Sequence, residues 1–225
     1  MSKISTPVVI VNFKTYREVE GYRSLSIARF CQDVSKETGV CIAVCPPMVE
    51  LSAVASSVSI PVLAQHTDPV KPGSHTGWTT PEAVKAAGGS GTLLNHSEHR
   101  MMLSDISTSV RLCRSAGLQT VVCADSAETA GACAFWRPEF IAVEPPELIG
   151  GDVSVTSVKP EVVESAVRAV HRVDENIPVL CGAGVKAGED ANRAIELGAR
   201  GVLLASGVVK SDDVKKALQD LVSFF

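Results

Sequence analysis

Eight short apolar runs rich in β-branched residues recur along the chain, and this repeat constrains the fold more than any other feature of the sequence. They occupy residues 7–12, 40–45, 61–64, 91–94, 119–123, 140–143, 178–181 and 201–204. Polar alternation within them is slight, so they read as strands buried on both faces, as in a parallel sheet flanked by helices. The segments between them carry helical periodicity. Ile27, Phe30, Cys31 and Val34 fall on one face before a stop at Gly39. Pro160 suits a first helical turn, and Val163, Ala166, Val167 and Val170 follow at helical spacing. Ala191, Ala194 and Ile195 run to Gly198, and Val214, Ala217, Leu218 and Leu221 form the last stripe. Eight βα units without a linker in 225 residues predict an α/β fold, a single closed (β/α)8 barrel forming one catalytic domain over residues 1–225. An open doubly wound sheet is the alternative. Its usual Gly-x-Gly-x-x-Gly turn is missing after the first run, where Asn12-Phe13-Lys14 stands instead.

Charge narrows the range of partners. Twenty-one basic and 25 acidic residues leave a net charge of −4 with no long run of either sign, which excludes the basic footprint of a nucleic-acid binder. An anionic ligand therefore needs a local positive site. No apolar stretch approaches the ~20 residues of a membrane-crossing helix, and the opening run is too short for a signal peptide, so a cytoplasmic location is expected. Seven scattered cysteines, mostly inside apolar runs, read as reduced core residues. The Cys41–Cys45 spacing lacks a second ligand pair and gives no metal site.

In a β/α barrel the active site forms at the carboxyl ends of the strands, so the polar residues after each run are the candidates. The first run ends in Asn12 and Lys14, the fourth in Asn95-His96-Ser97-Glu98, and the sixth in Glu144. Gly182-Ala183-Gly184 and Ala205-Ser206-Gly207 follow the last two runs, and such turns commonly bind phosphate through backbone N–H groups. Taken singly, Lys14 reads as a solvated lysine and His96 as a loop histidine. Glu144 is less ordinary, because a carboxylate directly after Ile141-Ala142-Val143 must face a cavity or bear the cost of desolvation. Together a cation, an imidazole, a carboxylate and a ring of N–H groups describe a proton-transfer site with an anion clamp.

These same stretches carry a family resemblance. Residues 11–16 (Val-Asn-Phe-Lys-Thr-Tyr), 95–100 (Asn-His-Ser-Glu-His-Arg) and 143–150 (Val-Glu-Pro-Pro-Glu-Leu-Ile-Gly) resemble the three diagnostic motifs of the triosephosphate isomerases. Ser74-His75-Thr76-Gly77 and Cys181-Gly182-Ala183-Gly184 resemble that family's third and seventh loops, and the short chain resembles its archaeal branch. The resemblance implies interconversion of dihydroxyacetone phosphate and D-glyceraldehyde 3-phosphate through an enediolate, in glycolysis and gluconeogenesis, with no metal or organic cofactor. It implies Glu144 as base, His96 as neutral electrophile and Lys14 as fixed cation positioned by Asn12, a division of roles described for that family. Phosphate is then expected on N–H groups near Ile149, Gly184, Ala205 and Ser206, under a lid at residues 145–152. A helix beginning at His96 would account for a lowered histidine pKa. Glu98 is placed to pair with Lys14 in the empty site, and Lys14 is the one obvious cation at the mouth. By the same resemblance the third loop, residues 66–78, inserts into a neighbouring subunit with Thr76 approaching its active site. A homo-oligomer follows, dimer or tetramer, with the tetramer favoured by the relatives. Two positions depart from the common pattern: His99 stands where many members have arginine, and Gly151-Asp152 where Thr-Gly is usual. Other phosphate-binding barrels, an epimerase or an aldolase, are competing readings, as is an inactive barrel kept as a scaffold. An aldolase needs a Schiff-base lysine at a strand end, and Lys14 is the only lysine so placed.

Overall fold

The structure, a computed structural model, describes residues 2–144 and 160–225. The described residues form eight parallel strands: β1 (Val8–Asn12), β2 (Cys41–Cys45), β3 (Leu63–Ala64), β4 (Gly91–Leu94), β5 (Gln119–Ala124), β6 (Phe140–Val143), β7 (Val179–Cys181) and β8 (Gly201–Leu204). All eight match the expected runs closely. Pro61 and Pro178 fall just outside the strands because proline has no N–H for a ladder. Their carbonyls still take part, accepting from Val44 N–H at 3.1 Å and Ile141 N–H at 3.1 Å.

Strand order is β2-β1-β8-β7-β6-β5-β4-β3, so β1 pairs with β8 and the sheet curls round. The remaining seam, between β2 and β3, is closed by a single parallel bridge between Val44 and Val62. Gly201 begins β8 so close to Val8 that a Cβ there would collide with the Val8 carbonyl oxygen, and this tight approach needs glycine.

Among the described residues the α-helices are α1 (Tyr22–Thr38), α2 (Leu51–Ser57), α3 (Pro81–Ala86), α4 (Leu103–Ala116), α5 (Ala127–Ala134), α6 (Pro160–His171), α7 (Gly188–Glu196), α8 (Ser206–Val209) and α9 (Val214–Val222). Gly39 ends α1 in the left-handed conformation, with φ of 77°, as its place after the apolar stripe predicts. Phe30 departs from expectation. It is 41% exposed, and Ala28 takes its place beside Ile27, Cys31 and Val34 on the buried face.

Strand alternation sorts the core into layers. Val8, Ile10, Ala43, Cys45, Leu63, Leu93, Val121, Cys123, Phe140, Ala142, Leu180 and Leu203 form one cluster drawn from every strand, which fills the barrel interior. Their neighbours Val9, Val11, Ile42, Val44, Val122, Ile141, Val143 and Val179 face outward and pack beneath the helices. Both faces being apolar is why the strands show so little polar alternation.

Candidate active site

The parity that fills the barrel also selects the site. Two residues beyond the last inward residue of a strand, the side chain still points toward the axis but has reached the barrel mouth. Val8 and Ile10 lead to Asn12, Phe140 and Ala142 to Glu144, Leu180 to Gly182, and Leu203 to Ala205. A cavity at these strand ends is lined by Asn12, Lys14, Tyr16, His96, Glu144, residues 182–186 and residues 203–206. It thus gathers seven of the expected site residues: Asn12, Lys14, His96, Glu144, Gly184, Ala205 and Ser206. Glu98 lies on an adjoining cavity of about 450 Å³, which it shares with Lys14, Gln65, His66, His96 and His99. Thr76 lines neither and is exposed on the loop between β3 and α3. Ile149 and the expected lid at 145–152 lie outside the described residues.

Glu144 is 2% exposed, and its N–H is held at 2.7 Å by the Ala124 carbonyl. Its Oε2 accepts from the Ser97 N–H at 3.3 Å. Its Oε1 lies 3.4 Å from His96 Nε2, close but not in hydrogen-bonding alignment, and has no hydrogen-bond partner. Burial raises the carboxyl pKa to about 7; the Ser97 N–H, the Cys123 thiol and the Lys14 and Arg100 charges pull the other way without offsetting it. Gly182 makes the side chain's space, since a Cβ there would stand 2.6 Å from Glu144 Cγ.

His96 follows Asn95, which leaves β4 with φ of 58°, a conformation asparagine tolerates better than most residues. The Asn95 side chain holds the turn, donating to the Cys123 carbonyl at 2.9 Å and accepting from Met101 N–H at 2.9 Å. Glu98 N–H donates to His96 Nδ1 at 3.2 Å. A backbone N–H can only donate, so Nδ1 is the acceptor and the neutral ring carries its proton on Nε2, the atom beside Glu144. Burial lowers the imidazole pKa to about 4, helped by the Lys14 and Arg100 charges and opposed by Glu98. The lowered value agrees with expectation, but the cause does not. Helix α4 begins only at Leu103, not at His96 as the sequence suggests; the shift comes from desolvation and nearby cations.

Lys14 has φ of 49°, unusual for a side-chain-bearing residue. Both of its peptide groups are fastened: its N–H donates to Asn12 Oδ1 at 2.9 Å, and its carbonyl accepts from Gln65 Nε2 at 2.9 Å. Its Nζ pairs with Glu98 Oε1 at 2.9 Å, as expected. Lys14 is not the only cation at the mouth, because Lys186 lines the same cavity. Gln65 and Lys186 escaped the sequence reading, which took Gly182 as part of a phosphate-binding turn and missed its role in making space for Glu144. Lys186 follows the Gly-Ala-Gly turn and could have been found by extending that motif two residues. Gln65 and Gly182 act only through contacts with distant segments.

At the other end of the cavity Ser206 opens α8 after Ala205, and the first N–H groups of a helix have no acceptor within it. Gly184, in the left-handed region with φ of 67°, lines the same cavity as Ala205 and Ser206. Carboxylate, neutral imidazole and ammonium thus face a patch of backbone donors across one small cavity. Among the described residues no group of three His, Cys, Asp or Glu side chains could hold a metal ion, and no helix is long and apolar enough to cross a membrane.

The family model described as triosephosphate isomerase matches residues 7–222. The chain is 49% identical over 217 residues to the triosephosphate isomerase of Methanocaldococcus jannaschii, covering 96% of this chain and 99% of that one. It is 51% identical over 222 residues to that of Methanopyrus kandleri, covering 98% of each. The crystal structure of triosephosphate isomerase from Bartonella henselae superposes with a TM-score of 0.74 at 20% identity, covering 96% of this chain and 98% of that one, a likeness of fold. Matched along nearly its whole length by that family model and by relatives at about half identity, the chain belongs to the triosephosphate isomerase family.

Proposed function

We propose that the chain interconverts dihydroxyacetone phosphate and D-glyceraldehyde 3-phosphate, the isomerase reaction of its family in glycolysis, with Glu144 as the base. The observation that carries this reading is the pairing of an unpartnered carboxylate oxygen, Glu144 Oε1, with the protonated Nε2 of a neutral His96 at 3.4 Å. Glu144 takes a proton from one carbon of the triose and returns it to its neighbour. Negative charge develops on the oxygens of the enediolate, where the His96 Nε2–H and the Lys14 ammonium supply it with donors. A donor of this kind is worth about 3 to 4 kcal/mol in other enzymes. Both donors are set before substrate arrives: Glu98 N–H fixes the imidazole tautomer, and Asn12 and Gln65 fix the Lys14 backbone. The phosphate rests on N–H groups of Gly184, Ala205 and Ser206, with Lys186 adding positive charge at that end. Carboxylate and imidazole suffice for the proton transfers, so the proposed reaction uses no cofactor.

The proposal extends to assembly and location. The third loop presents an exposed Thr76 and an exposed Trp78, and the exposed side chain of Met48 lines the open 450 Å³ cavity. These features support a homo-oligomer, with the tetramer favoured by family resemblance. All seven cysteines are free, and six of them are buried, which supports a reducing compartment such as the cytoplasm.

A coupled assay of glyceraldehyde 3-phosphate turnover tests the reading. The purified chain should isomerise the triose phosphates, and Glu144→Gln should lower kcat by ~10² or more with little change in binding of phosphorylated analogues. A Glu144→Gln protein retaining more than about a tenth of the activity would remove Glu144 from the role of base.

A further inference from the structure

We propose that His99 is a positioning residue for the isomerisation: by stacking on His66 it ties the base of the third loop to the turn carrying His96, and so holds the catalytic imidazole in its working orientation. The proposal rests on His96 being the electrophile, as proposed above.

The two rings lie 4.0 Å apart at their centroids and 17° from parallel, a close stack between residues 33 positions apart in the sequence. Each ring is anchored on its own side. His66 Nε2 lies 3.3 Å from Asp68 Oδ1, and Asp68 Oδ2 accepts from Thr79 N–H at 2.6 Å. Asp68 N–H also donates to the Thr79 carbonyl at 2.8 Å, so both ends of the third loop are clipped together beneath His66. The preceding residue, Gln65, donates to the carbonyls of Lys14 and Cys45 at 2.9 and 3.0 Å. On the other side, His99 N–H closes the catalytic turn on the His96 carbonyl at 2.8 Å.

Adjacency in the chain gives the stack its consequence. The N–H that determines the His96 tautomer belongs to Glu98, the residue immediately before His99. An error in the path of residues 98–99 therefore reaches both the Glu98–His96 contact and the Glu98–Lys14 ion pair. Asn95 secures the inner half of this turn through its two side-chain hydrogen bonds. The outer half, from Ser97 to Arg100, carries side chains that are mostly exposed; the Arg100–Asp125 pair at 3.2 Å is itself more than a third exposed on both partners. The His99–His66 stack is the contact that joins this outer half to the β3 loop. Strands β1, β3 and β4 then present Lys14, Gln65 and His96 as one braced unit.

Flat rings account for the contact, and a flat ring without ring nitrogens should preserve it. In the full-length protein, His99→Ala should lower kcat by about 2- to 10-fold, the factor corresponding to loss of one aromatic pair, with KM changed by less than about twofold. His99→Phe should return kcat to within about twofold of the unsubstituted protein. His66→Ala should match His99→Ala, and the double variant should be no slower than the slower single, because both remove the same contact. Ring ¹⁵N shifts of His96 should report a single Nε2–H tautomer in the unsubstituted protein and in His99→Phe, and a mixture in His99→Ala. Unchanged kcat in His99→Ala, a His99→Phe protein as slow as His99→Ala, or single effects that multiply in the double variant would each overturn the proposal. Failure of the underlying reading would show separately, as activity retained by His96→Asn, which removes the imidazole itself.

Discussion

Glu144 and His96 are moved in opposite directions by the same burial, one carboxyl held toward its neutral acid and one imidazole held as its neutral base. With the Glu144 pKa near 7 and the His96 pKa near 4, Glu144 is ionised and His96 neutral together, as the proposed reaction requires, only above neutrality. The value of kcat/KM should fall about tenfold per pH unit below 7 with a single proton bound, and no separate histidine step should appear above about pH 5. Two protons taken up near pH 7 would break this assignment. Stability follows the same group with a definite sign. The folded-state pKa of Glu144 is raised, so its favourable contribution is full below the unfolded value, ~4.3, and is lost as pH rises through about 7. Above that pH the buried carboxylate costs about 3 kcal/mol. Glu144→Gln should therefore be more stable than the parent by up to about 3 kcal/mol in urea at pH 8, with the gain vanishing by pH 4. Equal stability at both pH values would mean that Glu144 is not desolvated. At this scale the sequence exposed the chemical groups well. The polar residues at and just after the strand ends named Asn12, Lys14, His96 and Glu144. Sequence could not expose the role of Gly182 as a missing Cβ beside Glu144, or that of Gln65 as a side-chain amide on a carbonyl 51 residues away.

Among the elements, strands were the most legible and the loops beyond them the least. Strand runs announce themselves because both of their faces are buried. The turn after β4 gives no such signal: sequence suggested a helix start at His96, whereas the chain turns through Asn95 and reaches α4 at Leu103. The side-chain bonds of Asn95 to Cys123 and Met101 decide that path, and they exist only once β5 is paired beside β4. The third loop is a stronger case. Its length was visible in the sequence, but the Asp68–Thr79 clip and the His66–His99 stack were not. Shortening this loop between Pro69 and Gly77 should yield monomers with poor activity, read by light scattering alongside the isomerase assay. An intact, fully active oligomer after the deletion would remove the loop from both assembly and the site.

For the molecule as a whole, β1 pairs with both β2 and β8, so the sheet joins the beginning of the described chain to its end. We expect residues 1–225 to unfold in one cooperative transition, with the seam between β2 and β3 the first to exchange. That seam has one bridge, at Val44 and Val62, whereas β1 and β2 are in register over five residue pairs. Amide exchange measured by mass spectrometry should be faster for residues 61–64 than for residues 8–12, and equal protection would show that side-chain packing, not ladder hydrogen bonding, closes the barrel. By itself the sequence determined the count of βα units, the burial of both faces of each strand, and the residue types waiting at the strand ends. These are local properties, set by periodicity and by what a residue's immediate neighbours bury. Tertiary structure alone decided the pKa values, the histidine tautomer, the space for Glu144 and the bracing of Lys14 and His96. Each of those depends on groups far apart in sequence approaching within a few ångströms in a water-poor cavity, where desolvation and single hydrogen bonds set which proton sits where.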